Sequence, residues 1–328
     1  MIYKLHSIRI SQIDQKDGAY RISTPKSIKG LVASIRQIGV IHPPILMPLE
    51  NSGYRIVAGF QRVAACQQLA WQNIQAHILS PDIKPLRVLG LAIADNAQHR
   101  ELDLIERATA IEKLRHYFSS NAEIVTFANS LGLPLSRELM PRLIRLNGLT
   151  ASIKARIASN VIPLTIALEL ETLNPSDAEV MSNFFDELRP SLNQQKDLFL
   201  LTKEIAKSED ESISDVLNRP KMLKILQDKD LERPHKLRKI RAYLKKLRYP
   251  TIQKFEDAFY RYLNSLDLPN EISFSAPPNF EGSRFSITLS FCTQAEFKAH
   301  LEKLRRLLEN PKFLSIVNKR FEDQEALY

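Results

Sequence analysis

The hydrophobic pattern changes period twice along the chain. Over residues 1–80 strand and helix signals alternate. Ile8 and Ile10 flank Arg9 as in a strand, and Ile28, Leu31, Val32, Ile35 and Ile38 then recur at helical spacing. Pro25 is suited to the first turn of that helix and Gly39 to its end. Val40 to Leu49 is apolar and proline-rich, hence extended. Ser52-Gly53 signals a turn into a strand at Tyr54–Val57, which Gly59 breaks. Residues 60–70 read as helix and Ile74–Leu79 as strand. From Lys84 to about residue 250 the period is helical throughout. Ile105, Ala108, Ile111 and Leu114 share one face of a helix that Asp103 can cap, with Glu106 completing a capping box. Beyond residue 250, Phe255, Phe259, Tyr262, Leu263 and Leu266 keep helical spacing. Residues 271–275 and 284–291 alternate with period two, with Pro277-Pro278 and Gly282 between them, and a helix follows from Thr293 to Leu308.

These elements predict an α+β fold in four segments. Residues 1–100 form a small α+β domain, 101–174 an all-α domain, and 175–250 a charged helical connector. Residues 251–328 form an αββα unit. So small a unit buries little by itself, and a second copy of the chain would complete it, which makes a homodimer the expected assembly.

Composition narrows the classes. The chain has 328 residues, 44% of them hydrophobic and 25% charged, enough for a sizeable core. No apolar run is long enough for a membrane span and no secretory leader is visible, so no membrane partner is expected. Two cysteines, Cys66 and Cys292, exclude a disulfide framework and fit a reducing, cytoplasmic setting. The net charge of +9 favours an acidic partner, nucleic acid first. That excess sits in residues 1–100 (+7) and 181–250 (+5).

Candidate chemistry is sparse. There is no Walker loop, dinucleotide glycine motif, zinc-protease motif or nucleophile elbow, and His42 and His99 read as loop histidines. At Gly59 a strand ends and a helix begins. Free backbone N–H groups and the positive end of the helix then point at one spot, and Arg62 in the first turn can clamp a phosphate. Asp95 and Asn96 offer hard oxygen ligands suited to magnesium held with a nucleotide. Gly132 marks a turn between two helices. Residues 133–141 make that turn long, with Pro141 suited to the first turn of the second helix. Ser136, Arg137 and Arg142 are candidates for contact with double-stranded DNA. Residues 233–248 hold eight basic side chains and no acid, with Leu237, Ile240, Leu244 and Leu247 on one face. Within that helix Lys236, Arg238, Lys239 and Arg241 are candidates for non-specific phosphate contact.

Taken jointly, these stretches resemble the ParB family of DNA-partition proteins. Ser34-Ile35, Gly39 and Pro43-Pro44-Ile45 are similar to the family's Ser-Ile-x-x-x-Gly-Leu-Ile-x-Pro-Ile segment. Gly59-Phe60-Gln61-Arg62-Val63-Ala64-Ala65 resembles its Gly-Glu-Arg-Arg-x-Arg-Ala box, and Asp95-Asn96-Ala97-Gln98 its Glu-Asn-x-Gln. Leu143-Ile144-Arg145-Leu146 resembles the end of its helix-turn-helix, which adds Arg145 to the DNA candidates. The resemblance covers about residues 2–172. It implies a ParB/sulfiredoxin-like N-domain, a helix-turn-helix middle domain and a C-terminal unit like the family's dimerisation domain in element order. It further implies a CTP-gated clamp on DNA, in partition or gene regulation at the nucleoid. Nucleotide contacts would fall on Gly59, Gln61, Arg62, Ala65, Asn96 and Gln98, and magnesium on Asp95 and Asn96. No catalytic residue is implied, and at most weak CTP hydrolysis.

The departures are specific. Phe60, Gln61 and Ala64 replace the box's Glu and two of its Arg residues, so one guanidinium of three remains. At about 1.5–3 kcal/mol per charged hydrogen bond, this weakens a triphosphate site by several kcal/mol. The chain starts almost at its first strand, without the tail by which ParB proteins engage a ParA-type ATPase, which makes that partner doubtful. Two alternatives remain beside this reading. One is an enzyme of the same fold, performing ATP-dependent phosphotransfer or nuclease chemistry, although the His or Cys that such branches place beside the Arg is missing. The other is a protein-binding scaffold.

Overall fold

The computed structural model describes residues 3–24, 27–50, 53–266, 268–277 and 284–317. Pro25, Ser52, Pro278 and Gly282, and the side chains of Phe255 and Tyr262, lie outside this description. The chain divides into two compact units, Met1–Lys196 and Asp197–Tyr328.

The first unit opens with a five-stranded mixed sheet: β1 (Tyr3–Arg9), β2 (Ile13–Asp14), β3 (Ile45–Pro48), β4 (Tyr54–Ala58) and β5 (Asn73–Leu79), in the order β1-β5-β3-β4-β2. Strand β1 runs antiparallel to β5, from Tyr3 opposite Leu79 to Arg9 opposite Asn73. Strand β3 lies parallel to β5 and antiparallel to β4, with a register shift between Ile45 and Leu46. Two helices cover the sheet, α1 (Lys29–Ile38) and α2 (Phe60–Gln68). Ile8, Ile13, Val32, Ile35, Leu46, Ile56, Val63 and Ile74 interlock beneath them. The first helix starts at Lys29, later than Pro25 suggests, because Ile28 is its N-cap; it stops at Gly39, whose φ of 80° carries the chain out of the helix.

Helix α3 (Pro85–Ala97) leads into an all-helical part: α4 (Leu104–Arg115), α5 (Asn121–Ser130), α6 (Leu139–Arg145), α7 (Ala151–Ala158), α8 (Leu164–Leu170) and α9 (Pro175–Leu188). Asp103 and Glu106 form the expected capping box on α4, and Ile105, Ala108, Ile111 and Leu114 are buried as their spacing predicts. Glu106 does more than cap. It is fully buried, takes Arg100 through two hydrogen bonds of 2.5 and 2.7 Å, and accepts the Thr24 N–H at 3.0 Å. Burial alone would raise its pKa; Arg100 and the N–H groups of Asp103 and Thr24 outweigh that and hold it below the ordinary carboxylate value.

The connection between α5 and α6 is fixed by its own side chains. Gly132 has a φ of 81°. The Asn129 amide grips Leu135 twice, accepting its N–H at 3.1 Å and donating to its carbonyl at 2.8 Å. Arg107 donates to the Pro134 carbonyl. Pro141 lies in the first turn of α6.

Helix α10 (Leu192–Glu209) spans the boundary between the units. The second unit continues with α11 (Ile213–Leu217), α12 (Pro220–Gln227), α13 (Arg233–Arg248), α14 (Pro250–Asn264), the antiparallel pair β6 (Ile272–Ser275) and β7 (Ser286–Leu289), α15 (Gln294–Leu307) and α16 (Pro311–Val317). The helix–strand–strand–helix order is present, with α16 added; seven residues are too few to show a period. Phe259, Leu266, Phe274, Leu307 and Phe313 form a small core there.

Candidate nucleotide cleft and nucleic-acid surfaces

A cleft of about 350 Å³ opens over the end of β4. Gly59 sits at its base with φ +91° and serves as the N-cap of α2. A side chain is not tolerated there: a Cβ would stand 2.9 Å from Pro44 Cβ and 3.0 Å from Arg62 Nε. Val63 donates the first bond of the helix to the Gly59 carbonyl at 3.0 Å. By helix geometry the N–H groups of Phe60, Gln61 and Arg62 have no acceptor within α2, and an anion is favoured at that end.

Arg62, Asp95 and Asn96 converge on this cleft. Arg62 Nη2 meets Asp95 Oδ2 at 2.9 Å, while its Nη1 donates to the carbonyls of His42 at 2.7 Å and Pro43 at 3.3 Å. Both charged side chains keep 20% exposure. Asn96 lines the cleft and donates its amide N–H to the Ala92 carbonyl at 2.8 Å. One carboxylate and one amide oxygen are too few for a protein-only metal site, and no group of three metal-binding side chains exists among the described residues. They do suit magnesium, which commonly keeps waters and takes one or two carboxylates with substrate phosphates.

The other sequence candidates fall in different places. Gln61 lines the cleft. Ala65 is fully buried in the core beneath α2, and so cannot touch a ligand. Gln98 caps α3 beside Gly132, outside the cleft lining. In turn, the cleft includes side chains that sequence reading did not assign. His42 and His99 meet edge to face with ring centroids 5.8 Å apart, and Arg100 reaches the cleft from the α3–α4 connection. Arg21 stacks its guanidinium 4.5 Å from the centre of the Phe60 ring, over the residue that replaces the family's Glu, and its Nε is buried without a hydrogen-bond partner. The box resemblance drew attention to residues 59–65 only; no local pattern links Arg21 to them.

The DNA candidates also separate. Arg137 and Arg142 are exposed on the long turn and on α6. Ser136 is exposed, and its hydroxyl accepts the Leu139 N–H at 3.1 Å. Arg145 is engaged elsewhere: Glu171 holds its Nη2 at 2.5 Å and its Nε at 3.0 Å, and the Leu168 carbonyl takes a further bond. On α13, Lys236 donates to the Leu226 carbonyl and Arg241 pairs with Asp197 at 2.5 Å. Arg238 and Lys239 are exposed. The segment without acids thus receives them from other helices, since Glu204 also holds Arg248 at 2.6 Å.

Fold and cleft together define an α+β domain whose Gly-capped helix, Arg and Asp-Asn pair line one opening. Residues 3–97 match the ParB N-terminal domain family. Through that segment the chain is similar to proteins of the ParB family. It is 30% identical over 131 residues to a protein of Vibrio cholerae described as a probable chromosome-partitioning protein ParB, covering 40% of this chain and 43% of that one. It is 31% identical over 147 residues to a nucleoid occlusion protein of Bacillus thuringiensis, covering 42% and 48%. The chain spans about half the length of the curated relatives it matches. Among solved structures, a C-terminally truncated ParB of Caulobacter crescentus complexed with CTP-gamma-S matches at 22% identity and a TM-score of 0.27, covering 56% of this chain and 98% of that one.

Proposed function

We propose that this chain is a ParB-like protein that binds double-stranded DNA as a homodimer, with CTP and Mg²⁺ as the ligands of the Gly59 cleft. The observation that carries the reading is the convergence of the α2 N-terminus, Arg62, Asp95 and Asn96 on one opening. In this reading the free N–H groups of α2 and Arg62 receive the phosphates, and Asp95 with Asn96 holds magnesium against them. Arg62 must then leave Asp95. Each side chain of that pair keeps only 20% exposure, so breaking it has a cost that the phosphates and the magnesium must offset. Arg137 and Arg142, with Ser136, form the DNA-facing surface, and its role lies in partition or gene regulation.

A second reading rests on the same cleft. With Arg62 already satisfied by Asp95 and two box guanidiniums absent, the protein would bind DNA without a nucleotide switch. Titration calorimetry with CTP and magnesium, with and without duplex DNA, separates the two. Micromolar binding that Arg62→Ala abolishes supports the clamp. Heat-silent titration beside intact DNA binding supports the adaptor.

A further inference from the structure

His42 and His99 have no part in the readings above, yet the fold brings them together at the cleft. His42 lies in the connection from α1 to β3, and His99 in the connection from α3 to α4. Their ring centroids stand 5.8 Å apart. A chain of polar contacts joins the two positions. The His42 carbonyl accepts Arg62 Nη1 at 2.7 Å, Arg62 Nη2 meets Asp95 Oδ2 at 2.9 Å, and His99 Nδ1 donates to the Asp95 carbonyl at 2.6 Å. A carbonyl only accepts, so Nδ1 of His99 carries the proton. In the neutral ring Nε2 then keeps its lone pair. Metal-binding imidazoles are held in this way, with one nitrogen donating to a carbonyl or carboxylate and the other turned to the ion. Both histidines are exposed, and the terminal torsion of each ring is broad, so the rings can turn toward a common ligand.

We propose that His42 and His99 together bind a divalent transition-metal ion of the zinc class at the mouth of the cleft. The spacing fits. With metal–nitrogen bonds of ~2.0–2.1 Å, each ring centroid stands about 3.2 Å from a shared ion. Two imidazoles at a tetrahedral angle then have centroids about 5.2 Å apart, and on opposite sides of the ion about 6.4 Å. The observed 5.8 Å falls between these limits, so the backbone already holds the rings at chelating distance. Imidazole suits zinc, copper and nickel, whereas magnesium takes carboxylate, carbonyl and water oxygens. The site thus differs in chemistry from the Asp95–Asn96 pair, and it needs no nucleotide to hold its ion. Two protein ligands leave the other coordination positions to water, in keeping with the absence of any three-residue cluster among the described residues. The bound ion ties the α1–β3 connection to the α3–α4 connection across the opening.

The test is titration calorimetry of the full chain with zinc chloride, in a buffer that does not chelate zinc, with excess magnesium and no nucleotide. The wild type is expected to bind zinc, and His42→Ala and His99→Ala each to weaken that binding by roughly tenfold or more, since losing even an outer partner of a metal ligand costs about 10–100-fold. His99→Gln can still donate to the Asp95 carbonyl, so its loss of zinc separates the missing ligand from the missing hydrogen bond. His235→Ala and Cys292→Ser, both exposed in the second unit, are expected to keep the wild-type affinity. Zinc is also expected to raise the melting temperature of the wild type and not that of His42→Ala/His99→Ala. A wild type that takes up no zinc would overturn the proposal. So would a double variant that binds as tightly as the wild type. Zinc binding that survives the double variant and disappears with Asp95→Asn would put the ion on the oxygen pair instead, and the histidine site would fall while the nucleotide reading stands.

Discussion

Gly59 is held at φ +91° with Pro44 and Arg62 pressed against the place a side chain would take. The positive φ alone costs an L residue about 1–2 kcal/mol, and the contact with Pro44 adds to it. Gly59→Ala is therefore expected to lower the urea midpoint of the chain and to close the cleft at once. A midpoint equal to that of the wild type would show that the strand–helix junction can relax. The two thiols differ as clearly. Cys66 is fully buried, and burial pushes its pKa up, whereas Cys292 is exposed. A thiol reagent is expected to titrate one cysteine per native chain and the second only after denaturation, a difference Cys292→Ser would confirm by leaving none reactive. Among the arginines, Arg142→Ala is expected to weaken DNA binding with little change in stability, and Arg145→Ala to do the reverse because Glu171 and Leu168 lose their donor. The sequence made the Gly59 turn and the Asp103–Glu106 box readable because both are local. It could not reveal the Arg21–Phe60 stack or the Arg145–Glu171 pair, which join residues far apart in the chain.

Helix periods were legible almost throughout, since an amphipathic face is written every three to four residues. What neutralises a helix was not. The basic run of α13 looked free until α10 supplied Asp197 and Glu204. At the start of α4 the consequence is measurable against pH. The folded-state pKa of Glu106 lies below its unfolded value, roughly 4.3 for a free Glu. Its contribution is therefore complete above the unfolded value and fades as pH falls through the folded one. Chemical denaturation from pH 7 to pH 3 is expected to show this loss. Glu106→Gln should be less stable at neutral pH by about 1–3 kcal/mol, because Arg100 and two backbone donors keep weaker partners, and should show a shallower acid slope. Parallel pH profiles for the two proteins would mean that the carboxylate is not the titrating group.

For the whole molecule, the α+β class and the element order of the last segment followed from the switch of period, first near Lys84 and again past residue 250. The division of the chain after Lys196 did not, since α10 continues through it without a break in pattern. The second unit leaves Tyr260, Phe291, Leu301 and Leu308 exposed around a core of few residues. Such a surface suits the proposed homodimer. Sedimentation of the 37.6 kDa chain is expected to give twice that mass, and Leu301→Glu with Leu308→Glu to return it to one chain without lowering the melting temperature. A monomeric wild type at micromolar concentration would remove the dimer from the reading.

The grip of Asn129 on Leu135 has a practical side. Because that amide and Arg107 fix the backbone between α5 and α6, and Ser136 holds the Leu139 N–H, the outward residues Arg137 and Glu138 contribute little to holding the turn in shape. Exposed substitutions of this kind usually stay within about 0.5 kcal/mol of neutral. The turn is thus a natural place to diversify a library: if it faces DNA as proposed, target preference can be rewritten there while the scaffold beneath is left as it is.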